Sequence, residues 1–142
     1  MLPEIDVTDD VSTCQALRRE VFMVEQSVPE ALELDGLDSD AIHLLARLNG
    51  KAVGTARVVL QGDTARIGRV CVLARHRRQG LGAALMRAAV THLQHREGVV
   101  WARLGAQMHA VDFYARLGFR AEGPEYLDAG IAHRVMVLRL RD

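Results

Sequence analysis

The sequence predicts an α+β fold: a mixed, mostly antiparallel sheet of six or seven strands flanked by helices. The first reason is the order of apolar periodicities, in which helices come first and are followed by three strands, a helix, a strand, a helix and two strands. The second reason is Asn49-Gly50 between two apolar runs, which is the strongest short hairpin signal. The third is a strand–helix–strand unit over residues 66–104, which predicts one right-handed parallel crossover. We expect one domain over residues 1–142.

The N-terminal part predicts a strand and a helix. Residues 1–7 are expected to form a short edge strand. Asp9 or Asp10 has the side chain to cap a helix over residues 11–24, whose apolar positions share one face. Pro29 is expected to stop that helix.

Turn residues divide the rest of the chain into strands and helices. The hairpin strands are predicted at 41–48 and 51–60, and Gly62-Asp63 turns the chain into a third strand at 64–72. A helix opens after Gly80. The later elements are a strand at 99–104, a helix at 111–117 ended by Gly118, and strands at 119–126 and 131–140 that turn at 128–130.

Composition excludes several classes of protein. Of the 142 residues, 49% are hydrophobic and 25% are charged, which is typical of a soluble globular protein. A net charge of zero argues against nucleic acid or an anionic membrane as a partner. Two cysteines give no disulfide framework, and neither a signal peptide nor a membrane span is visible, so we predict a cytoplasmic protein. The six histidines have no metal-ligand spacing, and no metal is expected.

An acidic segment over residues 30–40 has two interpretations. Its five carboxylates are Glu30, Glu33, Asp35, Asp38 and Asp40. They form either a solvated connection or an electronegative rim that attracts a cationic amine, such as a polyamine or a lysine side chain.

The connection from the third strand to the following helix is suited to holding a phosphate. Val70-Cys71-Val72 ends a strand, a basic stretch follows, and Gly80 and Gly82 open an amphipathic helix. Small residues let a ligand approach the backbone, and the first helical turn presents free N–H groups and the positive end of the dipole. A P-loop is excluded because no Gly-Lys-Ser/Thr run follows, and a dinucleotide fingerprint is excluded because Leu85 occupies the third glycine position.

Two motifs resemble the GCN5-related N-acetyltransferase (GNAT) superfamily. Arg77-x-x-Gly80-x-Gly82 is similar to the family's pyrophosphate motif. Gln107-x-x-Ala110-x-x-x-Tyr114, followed by Gly118-Phe119, is similar to its second cofactor motif, with Gln107 in place of the usual Asn. The resemblance is closest to the ElaA-like branch, on residues 18–29, 33–38, His43, 54–57 and 129–133.

The resemblance implies the acyl-CoA N-acyltransferase fold, in which two strands splay apart around the pantetheine arm of acetyl-CoA. The positions that would contact this acetyl donor are Val70, Cys71, Val72, Arg77, Arg78, Gln79, Gly80, Leu81, Gly82, Ala83, Gln107 and Tyr114. Cys71 is interpreted as a small core residue and not as an acyl carrier, because nothing near it in the sequence would stabilise a thiolate.

The implied reaction is acetyl transfer to a primary amine of a small molecule or protein, by direct attack on the thioester. Tyr114 is the candidate general acid. The candidate bases, in order, are Glu25, His133 and His43, with a water relay as the alternative. The competing interpretation is an acetyl-CoA sensor or interaction module without turnover. Exposed edge strands near the termini make a homodimer plausible.

Overall fold

The computed structural model describes residues 2–141. Within that range the strands are β1 (Glu4–Thr8), β2 (Ile42–Leu48), β3 (Lys51–Gln61), β4 (Thr64–Val72), β5 (Trp101–Gln107), β6 (Arg120–Asp128) and β7 (Ile131–Arg139). The α-helices are α1 (Val11–Arg18), α2 (Glu30–Glu33), α3 (Leu81–Gln94) and α4 (Val111–Arg116).

The strands form one mixed sheet in the order β1-β2-β3-β4-β5-β7-β6. Only β4 and β5 pair in parallel, and α3 crosses between them, while the other neighbours are antiparallel. The β2–β3 turn has positive φ at both Asn49 (52°) and Gly50 (76°), as a type I′ hairpin turn requires. The predicted α+β fold and its crossover are therefore confirmed.

The sheet opens between β4 and β5. These strands pair only over Thr64–Trp101, Ala65–Ala102 and Arg66–Arg103, although both continue beyond this point. Beyond the last pair, the β3–β4 register slips at a bulge, where Arg69 has a φ of 51°. A bulge bends its strand, so β4 leaves β5 and a cleft opens in the middle of the sheet.

Two apolar cores cover the two faces of the sheet. The larger one lies under α3 and buries the predicted face of that helix, including Leu81, Leu85 and Leu93. The smaller one lies under α1 and contains Cys14 and Cys71. Packed apolar residues therefore lie on both faces of the sheet.

The N-terminal elements differ in part from the sequence prediction. The edge strand is Glu4–Thr8, and Met1 lies outside the described residues. Asp10 caps α1 by accepting a hydrogen bond from the Thr13 backbone N–H at 3.2 Å. The helix predicted over 11–24 is α-helical only to Arg18 and continues as a π-helix over Arg19–Glu25. Apolar spacing over seven residues does not separate these two helix types.

The strand after α3 begins later than predicted. The expected strand 99–104 is Trp101–Gln107, because the N–H groups of Val100 and Trp101 donate to the carbonyl of Asp63 instead of joining the sheet ladder. Among residues 2–141, none of the helices combines the length and the hydropathy needed to cross a membrane.

Candidate active site

The loop from β4 to α3 presents backbone N–H groups at the start of a long helix. Arg78 (φ 63°) and Gly80 (φ 79°) are both left-handed. The hydrogen bond that begins the helical ladder runs from the Ala84 N–H to the Gly80 carbonyl at 3.0 Å. The N–H groups of residues 81–83 therefore lack acceptors within the helix, and such concave, dipole-aligned N–H groups bind anions.

Gly82 leaves the first turn of α3 open. A Cβ placed on it would have the Phe113 ring at 3.7 Å as its nearest atom, which is an ordinary contact. The protein's own packing therefore does not require glycine here, although glycine in a helix costs about 1 kcal/mol relative to alanine. A ligand that approaches the backbone closely would explain its presence.

The guanidinium group of Arg77 is bound by other groups of the protein. Its two terminal nitrogens donate to Glu25 at 2.5 and 2.6 Å, and its Nε donates to the Val72 carbonyl at 2.9 Å. The hydrogen bonds from Arg77 lower the pKa of Glu25 below its usual value. The structure therefore disfavours Arg77 as a phosphate ligand and Glu25 as the base, because each neutralises the other. Arg78 has no carboxylate partner among residues 2–141.

The end of β4 presents its backbone to the cleft. The Leu73 N–H donates to the Val53 carbonyl at 2.9 Å, next to the pair Gly54–Val72. In an antiparallel ladder this register turns the amide and carbonyl of Val72 away from β3, toward the gap. Cys71 points into the α1-side core, and burial raises the pKa of its thiol to about 12. This agrees with the prediction of an unreactive core cysteine.

A cavity of about 740 Å³ occupies the cleft. Four of the predicted site residues line it together: Val70, Gln107, Tyr114 and His133. Val70 comes from β4, while Gln107 ends β5 opposite His133 on β7. The diverging strands thus bring the second predicted motif and one candidate base to one side of the gap, facing the end of β4.

Tyr114 is held by aromatic contacts. Its ring packs edge-to-face on Phe113 and Phe119, with centroid distances of 5.0 and 6.3 Å. Burial raises the pKa of its phenol above the usual value. No hydrogen bond of the hydroxyl is found within residues 2–141, and Tyr114 lines the cavity.

The two candidate histidines differ in their surroundings. His43 is buried on β2, outside the cavity wall, and its Nε2 donates to the Asp38 carbonyl at 2.9 Å. His133 lines the cavity, and its Nδ1 donates to the Ile131 carbonyl at 2.7 Å. In the neutral imidazole this leaves Nε2 of His133 as an acceptor. His43 is therefore disfavoured as the base, and His133 is the candidate that the geometry favours.

Three of the five carboxylates in the acidic segment are paired with buried arginines, while Glu30 and Asp40 are exposed. Arg18, which is 1% exposed, donates to Glu33 at 2.7 Å and to Asp38 at 2.8 Å. Arg57, also buried, holds Asp35 at 2.7 Å and Asp38 at 3.0 Å. Both interpretations from sequence are therefore corrected for these three carboxylates, because arginines from α1 and β3 neutralise them.

A third arginine ties this ion network to the β4 bulge. Arg69 donates to Glu33 and Asp35 at 3.2 and 3.3 Å and to the Leu32 carbonyl at 3.1 Å. We call Arg18, Arg57, Arg69, Glu33, Asp35 and Asp38 the ion network. Hydrogen bonds from Arg57 lower the pKa of Asp35 to about 2. Burial alone would raise the pKa of Asp38, but hydrogen bonds from Arg18, Gln15 and Arg57 hold it well below the usual range.

Tyr126 is a cavity residue that the sequence analysis missed. Its ring stacks on His133 with centroids 5.7 Å apart, and its hydroxyl occupies the space where Gly105 would carry a Cβ. Gly105 therefore has a packing requirement that Gly82 lacks. The alternation of side chains along the predicted β6–β7 hairpin was a signal that Tyr126 and His133 share a face. The contact of Tyr126 with Gly105 on β5 could not be predicted from residue spacing.

Diverging central strands with an open helix N-terminus beside the gap define the acyl-CoA N-acyltransferase fold. The acetyltransferase (GNAT) domain matches residues 7–140. The chain belongs to the GNAT acetyltransferase family. It is 36% identical over 122 residues to the uncharacterized N-acetyltransferase YjcF of Bacillus subtilis, covering 85% of this chain and 86% of that protein.

Solved structures agree with this assignment. Escherichia coli ElaA superposes with a TM-score of 0.85 at 28% identity, covering 96% of this chain and 99% of that one, which supports the resemblance seen in the sequence. An aminoglycoside 6′-N-acetyltransferase complexed with coenzyme A has a TM-score of 0.78 at 13% identity, covering 98% of each chain. The latter likeness shows the fold alone.

Proposed function

We propose that this chain is an acetyl-CoA-dependent N-acetyltransferase that acts on a primary amine. The observation that carries the proposal is the cleft itself: the exposed edge of β4 and the open start of α3 lie on one side, and the free hydroxyl of Tyr114 lies on the other. Membership of the GNAT family supports it, as does the coenzyme A complex of a protein with the same fold.

In this proposal the backbone holds the pyrophosphate of acetyl-CoA. The N–H groups of residues 78–83, including Gln79 and Ala83, surround the anion, and the Arg78 guanidinium adds a charge-assisted contact. Arg77 does not bind phosphate directly. It is a positioning residue, since it ties the loop to Glu25 and to the end of β4.

The pantetheine arm would lie in the gap between β4 and β5. Val70 and Val72 offer backbone groups on one side, and the Gln107 side-chain amide lies on the other. The N–H of Val72, which points away from β3, is the candidate donor to the oxyanion that forms on the thioester carbonyl. Cys71 contributes packing only, because its side chain is buried in the α1-side core.

Tyr114 would act as the general acid. The amine nitrogen attacks the thioester carbon, the C–S bond breaks, and the departing thiolate takes the phenolic proton. A raised pKa keeps the phenol protonated at neutral pH, as this role requires. Solvent then returns a proton to Tyr114.

His133 would accept the proton that the amine loses. Its Nδ1 is fixed by the Ile131 carbonyl and its ring by Tyr126, so Nε2 is the side of the imidazole available to a substrate or a bridging water. This reverses the sequence-based order of candidate bases, in which Glu25 came first.

Two further proposals concern where and how the protein works. Both cysteines are free thiols, which suits the reducing cytoplasm. A homodimer through an edge strand stays a prediction, with β1 and β6 as the edges of the described sheet.

Release of the coenzyme A thiol tests the proposed function. Purified protein is incubated with acetyl-CoA and a panel of primary amines, and thiol release and N-acetylated product are measured together. We expect equal amounts of the two. A folded protein that binds acetyl-CoA but turns over no amine would contradict catalysis and favour the sensor interpretation.

A further inference from the structure

Two arginines on the sheet surface enter the cavity without a carboxylate partner. Arg66 on β4 and Arg103 on β5 are the last residues to pair before the strands diverge. Both line the cavity, and neither forms an ion pair within residues 2–141. Their adjacency follows from the parallel register, which places the two side chains on the same face of the sheet.

The other charges of the cavity wall largely cancel. The ion network contributes three arginines and three carboxylates, and its cavity-lining members Glu33, Asp35, Arg57 and Arg69 are all paired inside it. Asp128, at the β6–β7 turn, is the remaining carboxylate among the lining residues described. The charge of the cavity wall that is not paired within the protein is therefore positive, which is opposite in sign to an acidic rim.

The arginine pair lies at a useful distance from the proposed base. Along β5, Arg103, Gly105 and Gln107 share one face, and four residues of strand span about 13 Å. His133 is opposite Gln107 in the register. Tyr126 lies between them, with its hydroxyl over Gly105 and within reach of the charges of both arginines.

We propose that the acetyl acceptor is a primary amine that also carries an anionic oxygen acid, a carboxylate or a phosphate, bound by Arg66 and Arg103. Guanidinium groups match the geometry of both anions and bind them through paired hydrogen bonds. The anion sits several bonds from the amine, which then reaches the His133 side of the cavity. This assignment rests on the proposed function, and it replaces the polyamine or lysine side chain expected from the acidic segment.

Matched amines test the assignment. 2-Aminoethyl phosphate is compared with ethanolamine, 6-aminohexanoate with hexylamine, and spermidine represents the cations. We expect the anionic member of at least one pair to have a kcat/KM about tenfold or more above its neutral partner, since hydrogen bonds to charged groups are the stronger ones. The two pairs distinguish phosphate from carboxylate.

Substitutions locate the effect. Arg66→Gln and Arg103→Gln should each reduce kcat/KM for the anionic amine by about 10- to 100-fold, mainly through KM, and leave the neutral amine unchanged. Arg139→Gln is the matched control, because Arg139 lies on the same face but stacks on Trp101 at 5.2 Å, outside the cavity. It should leave the preference intact.

The outcomes separate this assignment from the proposed function. Turnover that favours neutral or cationic amines, or a preference that survives both arginine substitutions, would overturn the anionic acceptor while leaving the acetyltransferase in place. Failure to bind acetyl-CoA would contradict the proposed function. Calorimetric titration with 2-aminoethyl phosphate and 6-aminohexanoate gives a readout that does not depend on turnover. We expect at least one of the two compounds to bind the wild type, and we expect Arg103→Gln to abolish that binding. If neither compound binds the wild type, the assignment is overturned.

Discussion

The side of the cleft that we propose binds the acetyl donor, called the donor side, presents mainly backbone groups. The side that we propose binds the amine, called the acceptor side, consists of side chains that hold one another in place. At the start of α3, where two preceding residues have left-handed backbone conformations and Gly82 has no side chain, backbone N–H groups have no acceptor within the helix. On the opposite wall, the ion network satisfies its charges internally and fixes the segment after α2 to β3 and β4. The donor side thus depends on local sequence, and the acceptor side on residues far apart in the chain.

Removing one charge from the ion network should have the largest effect on stability. Arg18→Met leaves the buried Glu33 without its main partner, and breaking a buried ion pair costs about 3–5 kcal/mol. Urea denaturation measures the free energy of unfolding. Arg19→Met is the control at the neighbouring position, where the π-helix begins: its pair with Glu30 is exposed and worth less than about 1 kcal/mol. Equal losses in the two variants would contradict a stabilising network.

Tyr114→Phe should slow acetyl transfer without lowering the stability of the protein. Its ring contacts with Phe113 and Phe119 remain, while the proton donor to the thiolate is lost, so kcat should fall by about 100-fold. Steady-state kinetics and a melting curve provide the comparison. A rate within twofold of the wild type would reduce Tyr114 to a packing residue.

Glu25→Gln should have a smaller effect than His133→Gln. If Glu25 only anchors Arg77, its substitution lowers kcat/KM by less than about tenfold and leaves the pH–rate profile unchanged, because a partly exposed ion pair contributes little. His133→Gln, which removes the proposed base, should lower kcat by about 100-fold. The reverse ranking would restore Glu25 as the base.

Acid sensitivity gives the smallest expected effect. Because the pKa of Asp35 is lowered to about 2 from 3.8, the unfolded chain takes up a proton first as the pH falls. The stability from this group is complete above about pH 4 and is lost as the pH falls toward 2. In Arg57→Met, which removes the main cause of the shift, the slope of unfolding free energy against pH over this window should be shallower. An unchanged slope would mean that Arg57 does not hold Asp35.

The sequence predicted the order of strands and helices well because the signals for them are local. Turn residues, helix periodicity and the glycines after Val72 all act within a few positions, and the strands they predicted form in the expected order. The largest differences are the length of α1 and the start of β5, where a π-helical end and a contact with the Asp63 carbonyl decide the boundary.

The acceptor side could not be predicted in the same way. The bonds of Arg57 to Asp35 and of Arg69 to Glu33 join residues 22 and 36 positions apart, and no short pattern encodes such a pairing. One signal was present: Arg57 interrupts an otherwise apolar strand between Ala56 and Val58, and a charge inside a buried strand requires a partner. The choice between His133 and His43 likewise depended on tertiary placement: His133 on β7 lines the cavity, whereas His43 on β2 lies outside it and bonds to the Asp38 carbonyl.

Calorimetric titration of the wild type, Gly82→Ala and Gly82→Leu with acetyl-CoA tests whether the start of α3 holds the cofactor. A Cβ at Gly82 has room in the protein itself, so Gly82→Ala should fold as stably as the wild type or better, and a melting curve checks that Gly82→Leu is folded. We expect Gly82→Leu to lower the affinity by about 100-fold or more, because its side chain separates the ligand from several N–H donors, while Gly82→Ala has a much smaller effect. Wild-type affinity in a folded Gly82→Leu protein would contradict the assignment of the α3 N-terminus as the site that holds acetyl-CoA.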